Sequence, residues 1–321
     1  MPNKDVQEYF PQITCPPRRI PHNGNNTLFE VNTETGRYIF KQYFGHYESW
    51  QRGISEFNAL SFLWENGFRN IPQPIKFYEP DVGIYKFIEG KPIAGKDVNA
   101  EDIKNAAEFL ARLHDLGEKD KERFGPASSA CLCLGDYLGV VDRRYARVSG
   151  FVNQDTPEKT RRFVLEDVSR KIEDVKAKFG RDSRSLDLEI QLTLGQQVLT
   201  PADFGFHNVL KNGNQYSYID FEYFGRDDPA RQLLDFVHHG SSKEIGRELK
   251  ELFLKEYLER ISPAQRVSRD RLELLDPLIQ LTWVLICLNA VNSDYNVHLE
   301  NRKELAEKRI AEAEERLGAI K

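Results

Sequence analysis

The sequence predicts an α+β fold of two lobes, a small β-rich lobe over residues 1–90 and a larger α-rich lobe over residues 91–321, together making one domain. Three observations predict it. Short β-branched and aromatic runs alternate with turn residues between Arg18 and Tyr43, two more such runs follow between Ile75 and Ile88, and from Asn99 onward the apolar spacing becomes helical.

Thr27–Val31 and Arg37–Tyr43 flank the turn Asn32–Gly36, whose closing glycine suits a left-handed residue. They read as an antiparallel pair, with Lys41 near the end of the second strand. Trp50–Trp64 sets Ile54, Phe57, Leu60, Phe62 and Leu63 at helical spacing, carries Glu56, and meets Gly67 where a helix would stop. Pro72 and Pro74 punctuate the chain before the strands Ile75–Tyr78 and Val82–Ile88, which break at Glu89-Gly90. In the second lobe, helices are expected over Ala100–Leu116, Leu134–Val148, the highly charged Pro157–Phe179 and Lys303–Leu317. In the last of these, Glu304 with Lys308 and Glu312 with Arg316 stand four residues apart, as stabilising pairs do. Gln197–Leu199 with Asn208–Leu210, followed by Ser217–Ile219, look like a small hairpin presenting a loop.

With 40% hydrophobic residues in 321, the chain can bury a substantial core. Its net charge of −5 leaves no basic excess to displace counterions from phosphates, so no nucleic-acid partner is expected. Met1–Tyr9 carries Lys4, Asp5 and Glu8 and lacks the apolar centre of a secretory signal. The longest apolar stretch, Pro277–Val291, contains Gln280, Thr282 and Asn289 and falls short of the ~20 residues a membrane span requires. It reads as a buried core helix, and no membrane partner is expected. Cys15, Cys131, Cys133 and Cys287 form neither a disulfide framework nor a metal-ligand set, which fits a reducing cytoplasm. His114 reads as a helix-end histidine, and His238 and His239 as structural.

The chemistry concentrates in Thr200-Pro-Ala-Asp-Phe-Gly-Phe-His-Asn-Val-Leu210 and Tyr218-Ile-Asp-Phe-Glu-Tyr223. Phosphoryl transfer from ATP needs a carboxylate to orient the attacking hydroxyl and accept its proton, and metal ions to bridge the phosphates. Asp203 suits the first role, while Asn208 and Asp220 offer the oxygen ligands a hard cation such as magnesium takes.

In this setting Asp-x4-Asn-x11-Asp resembles the catalytic and metal-binding loops of the aminoglycoside phosphotransferase and choline kinase-like superfamily, and the resemblance covers most of the chain. It implies a bilobal, protein kinase-like fold and an ATP- and Mg2+-dependent phosphotransferase acting on a hydroxyl of a small molecule of the aminoglycoside, amino alcohol or sugar class. Lys41 resembles the lysine that holds the α- and β-phosphates, with Glu56 as its partner. Pro21–Asn26, with Gly24, Asn25 and Asn26, takes the place of the phosphate-covering loop. Tyr85–Gly90 resembles the hinge that binds adenine through backbone groups, Phe87 and Ile88 being the candidates. The Asp228-Pro229 to Asp235 segment also matches, and the resemblance gives Asp235 the task of bracing the catalytic-loop backbone. One departure stands out: Pro201-Ala202 replaces the His-Gly that commonly precedes the catalytic aspartate. That departure and the single glycine of the covering loop motivate a second reading, a catalytically inactive nucleotide-binding or regulatory protein on the same fold. Glu222, Asp227 and Asp228 read either as an acidic rim for a cationic substrate or as a solvated acidic turn.

Overall fold

The computed structural model describes residues 5–10, 12–21, 26–43, 47–292 and 302–321, with strands dominating the N-terminal part and helices the C-terminal part. Two compact units are formed.

The first unit comprises Met1–Ser128, Leu199–Gly225 and Glu244–Phe253. Its antiparallel sheet is built from β1 (Arg18–Arg19), β2 (Thr27–Thr33), β3 (Gly36–Gln42), β4 (Pro74–Tyr78) and β5 (Val82–Lys86), in the order β1-β2-β3-β5-β4. The expected hairpin is β2 with β3. Thr33 pairs with Gly36 across Glu34-Thr35, and Gly36 lies at φ 133°, a backbone geometry that side chains disfavour. Alternation along β3 sends Phe40 and Tyr38 into an apolar cluster with Val6, Phe10, Val31, Val82 and Ile84. Lys41 therefore faces the other way, where it meets Glu56 of α1 (Tyr47–Glu65). That helix ends as the sequence indicates, with Gly67 at φ 86° and the Phe68 N–H donating to the Leu63 carbonyl at 3.0 Å.

A second sheet joins β6 (Lys91–Pro92), β8 (Val209–Asn212) and β9 (Gln215–Tyr218) in the order β6-β8-β9. The hairpin expected between Gln197–Leu199 and Asn208–Leu210 is thus corrected: β8 pairs with β9, and β7 (Val198–Thr200) lies outside this sheet. The reason is local, since Gly213 at φ 58° opens a two-residue turn between the paired Asn212 and Gln215. Behind these strands, α2 (Ala100–Asp120) presents Phe109. Tyr218 stacks on it at 3.7 Å, Phe204 lies parallel at 6.2 Å and Phe221 meets it edge-on at 6.5 Å. Phe204 follows Asp203 and Phe221 follows Asp220, so one buried ring anchors both loops. His114 is not at a helix end; it lies within α2 and is fully buried.

The second unit comprises Ser129–Val198, Arg226–Lys243 and Leu254–Lys321. It contains α3 (Leu134–Phe151), α4 (Glu158–Arg162), α5 (Ser169–Asp182) and α6 (Pro229–His238), the last reached through β10 (Gly225–Asp227). Beyond α7 (Arg247–Arg260) come α8 (Arg269–Cys287) and α9 (Arg302–Ala319). The charged run expected as one helix is α4 and α5 joined by a π-helical turn, Phe163–Val168, which rephases the chain so that Phe163, Val164 and Val168 are buried. The central helix also outgrows its expectation. Counted to Val291 it has 23 residues and is long and apolar enough to cross a membrane, yet 61% of its apolar window is buried inside the protein. Packing against α3, α5, α6 and α9 accounts for that burial. The pairs expected on α9 form, Glu304 with Lys308 and Glu312 with Arg316, each at 2.7 Å.

Gly225 marks a close approach of two main chains: a Cβ there would lie 2.5 Å from the Ala127 nitrogen and 2.7 Å from the Pro126 carbonyl carbon. Neither backbone atom can move aside alone. Gly225→Ala is expected to lower stability by about 1–3 kcal/mol, read as a reduced urea midpoint.

Candidate active site

The Lys41 ammonium is held by two carboxylates. It donates to Glu56 Oε2 at 2.7 Å and to Asp220 Oδ1 at 2.8 Å while only 7% of the residue is exposed. Burial works against its charge, but Asp220 and Glu56 outweigh burial and hold its pKa well above the ordinary lysine value. Glu56 is buried too, and burial lifts its pKa despite the neighbouring ammonium. Its other oxygen accepts from the Phe221 N–H at 3.1 Å, tying α1 to the loop that carries Asp220.

Asp220 sits at φ 67°, a left-handed conformation that costs a non-glycine residue about 1–2 kcal/mol. Such strain persists only where surrounding contacts over-determine it. Here the Lys41 ion pair to the Asp220 side chain and the buried ring of the next residue, Phe221, do so. Asn208 is nearly buried, and its Nδ2 donates to the Asp203 carbonyl at 3.0 Å. The Ile219 N–H donates to the Asn208 carbonyl at 3.0 Å, so the two loops are hydrogen-bonded to each other. Asn208 Oδ1 and Asp220 Oδ2 accept no hydrogen bond among the described residues. Those two oxygens fit the demand of a hard divalent cation for oxygen ligands.

Asp203 is half-buried, and its carboxylate lies 3.4 Å from His207 Nε2. Its loop is shaped by the residue before it. Ala202 lies at φ 64°, the Asp203 N–H donates to the Pro201 carbonyl at 2.8 Å to close a γ-turn, and the Ala202 N–H donates to Thr200 Oγ1 at 3.0 Å. Thr200, through its hydroxyl, and Pro201 and Ala202, through the backbone, therefore shape the loop without the His-Gly pair. Tyr223 senses both carboxylates: burial pushes its phenol up to about 12, with Glu222, Asp203 and Asp220 adding to the effect and Arg52 opposing it. Arg52 lies over the Tyr223 ring at 4.8 Å.

The other sequence-derived candidates divide. Glu222 accepts from Asn26 Nδ2 at 2.9 Å, which links the last residue of the expected covering loop to the residues after Asp220. Gly24 and Asn25 lie outside the described residues. At the hinge, the Phe87 N–H is already donated to the Arg37 carbonyl at 3.1 Å. The Phe87 carbonyl and the Ile88 N–H are the groups left for a ligand among the described residues.

Asp227 and Asp228 are corrected, since neither is a rim nor a solvated turn: they are 2% and 1% exposed. In the second unit Asp227 accepts from the N–H groups of Cys131 and Asp228, each at 2.8 Å, and pairs with Arg231 at 3.1 Å. Burial pushes its carboxyl up to about 6. Asp228 caps α6 through the Ala230 N–H at 2.8 Å and accepts from the Tyr137 hydroxyl at 2.9 Å and Arg271 at 2.5 Å. A buried carboxylate must be paired, and these two are. Asp235 accepts from Trp283 Nε1 at 3.2 Å and faces Arg231 at 3.3 Å; these side chains, not a loop backbone, are its contacts among the described residues.

Sequence reasoning passed over Tyr43, Tyr85 and Phe109. Tyr43 was within reach, because it follows Lys41 by two residues and shares its face of the strand. Tyr85 and Phe109 depend on register and helix packing, which no local pattern reveals.

With this geometry in hand, the comparisons decide the family: residues 17–274 match the phosphotransferase enzyme family. The chain belongs to that family. A structure of choline kinase from Cryptosporidium parvum Iowa II superposes with a TM-score of 0.65 at 15% identity, covering 98% of this chain and 92% of that one. A spectinomycin phosphotransferase in complex with ADP and spectinomycin gives 0.64 at 16% identity, covering 95% and 92%. An ethanolamine kinase from Plasmodium vivax gives 0.61 at 15% identity, covering 93% and 81%. These likenesses establish the protein kinase-like fold. No curated protein matches the sequence.

The left-handed Ala202 carries a steric cost that glycine would not. Ala202→Gly is expected to raise stability by about 1 kcal/mol, read in denaturant titrations of the two proteins.

Proposed function

We propose that this chain is an ATP- and magnesium-dependent kinase that transfers the γ-phosphoryl group to a hydroxyl of a small molecule. The observation that carries the reading is the Lys41 ammonium, buried and shared between Glu56 and Asp220, while Asp220 Oδ2 accepts no hydrogen bond among the described residues. Lys41 holds nucleotide phosphates, Glu56 aims Lys41, and Asn208 with Asp220 holds the metal. Magnesium supplies charge neutralisation on the transferred group when bound. Asp203 orients the acceptor hydroxyl and takes its proton, and the Phe87 carbonyl with the Ile88 N–H reads the adenine edge. Residues 1–90 and 91–321 serve as the nucleotide-covering and acceptor-binding parts of one phosphotransferase domain. The acceptor class is that of amino alcohols, aminoglycosides and sugars, in keeping with structural neighbours that include choline and ethanolamine kinases and a spectinomycin phosphotransferase.

The test is ADP release over choline, ethanolamine, spectinomycin and a sugar panel, with Asp203→Ala beside the wild type. Substrate-dependent ADP formation by the wild type is expected, with kcat reduced about 10²- to 10⁴-fold in the variant. Equal turnover in both proteins would remove Asp203 from its role. Nucleotide binding without turnover on any acceptor would favour the second reading, a regulatory protein on the same fold.

A further inference from the structure

Glu56 is held from a third side. The Tyr43 hydroxyl donates to Glu56 Oε2, the same oxygen that accepts from Lys41, and the Lys41 ammonium lies 5.0 Å from the centroid of the Tyr43 ring. Tyr43 thus touches both members of the ion pair. Its oxygen is 2.8 Å from the Tyr85 hydroxyl. Because the single Tyr43 proton goes to a carboxylate, which can only accept, Tyr85 must be the donor in that second bond. The order is Tyr85 to Tyr43 to Glu56, with Tyr43 1% and Tyr85 3% exposed.

Space for this chain is made by two glycines. A Cβ at Gly53, one helical turn before Glu56, would lie 2.8 Å from the Tyr43 ring. A Cβ at Gly83, which stands opposite Lys41 in the sheet, would lie 2.6 Å from the Tyr85 hydroxyl. Burying two phenols between a strand and a helix is costly unless each finds a partner, and each does. An apolar pair would fill the same volume without that requirement, so the hydroxyls call for an explanation beyond packing.

We propose that Tyr43, clasped by Tyr85, is a positioning residue for nucleotide binding that fixes the Glu56 carboxylate so that Lys41 stays aimed at the phosphates. The inference rests on the phosphotransferase reading above. Glu56 Oε2 has two acceptor sites, and Tyr43 occupies the one that Lys41 does not. When Lys41 shares its protons with phosphate oxygens, the Tyr43 hydroxyl and the Phe221 N–H still hold Glu56 at both oxygens. Without the Tyr43 hydroxyl, Oε2 would depend on Lys41 alone, and when Lys41 turns to phosphate the carboxylate would keep only the Phe221 N–H at Oε1.

The measurement is the Kd for ATP with magnesium, by calorimetry, for the wild type and for Tyr43→Phe, Tyr85→Phe, Glu56→Gln, Lys41→Ala and the Tyr43→Phe/Glu56→Gln double variant. Tyr43→Phe keeps the ring and removes only the hydroxyl, and affinity is expected to fall about tenfold, the scale of one hydrogen bond to a charged group. Tyr85→Phe is expected to weaken binding about threefold. In the Glu56→Gln background Tyr43→Phe should add less than about twofold, because its effect runs through that carboxylate; a merely structural hydroxyl would cost the same in both backgrounds. Wild-type affinity in Tyr43→Phe, or a penalty undiminished beside Glu56→Gln, would overturn the inference. If Lys41→Ala weakens binding while Tyr43→Phe does not, the inference falls alone; if neither does, the nucleotide reading falls with it. Should Tyr43→Phe fail to fold by circular dichroism, Tyr85→Phe decides: a threefold loss supports the inference and unchanged binding overturns it.

Discussion

A buried ammonium shared between two carboxylates is the constraint on which the first unit depends. Lys41 cannot be charged in the interior without partners, and removing one partner from such a pair costs about 3–5 kcal/mol because the other is left uncompensated. Sheet, helix and loop must therefore meet at one point: β3 brings Lys41, α1 brings Glu56, and the segment after β9 brings Asp220. The register of β3, the length of α1 and the left-handed turn at Asp220 all serve that meeting. Lys41 and Asp220 are also the groups proposed to hold phosphate and metal, so the stability of this region and its proposed chemistry draw on one set of charges.

Aromatic packing does for the loops what charge does for Lys41. Asp203 and Asp220 are half-buried residues on irregular backbone, where placement is poorly determined by local structure. Each is followed by a phenylalanine buried against Phe109, and Tyr218 stacks on the same ring. Rings with preferred relative orientations fix position and angle more narrowly than aliphatic contacts would. Two short loops are in this way referenced to a single helix, and a hydrogen bond from Ile219 to Asn208 completes the register between them.

In the second unit the acidic residues have a different task. Asp227 and Asp228 stand in a sequence that looks like a surface turn, yet they are buried and organise Arg231, Arg271, Tyr137 and the start of α6. Their local pattern, Gly-Arg-Asp-Asp-Pro, is shared by exposed turns and by buried helix starts. What separates the two cases is the arrival of Arg271 from α8 and Tyr137 from α3, both distant in the chain.

The sequence alone determined the elements whose signal is local: the hairpin closed by Gly36, the helix ended at Gly67, the charge pairs on α9, and the ordered series Lys41, Glu56, Asp203, Asn208 and Asp220. Periodicity, turn chemistry and spacing act over a few residues, so they can be read without coordinates. Tertiary structure alone decided that α8 is covered on several sides, that Asp227 and Asp228 lie inside, and that Tyr43 reaches Glu56 with Tyr85 behind it. Each of those outcomes depends on a partner far away in the sequence, and the free energy of burying or pairing a group belongs to the contact between distant residues, not to either residue by itself.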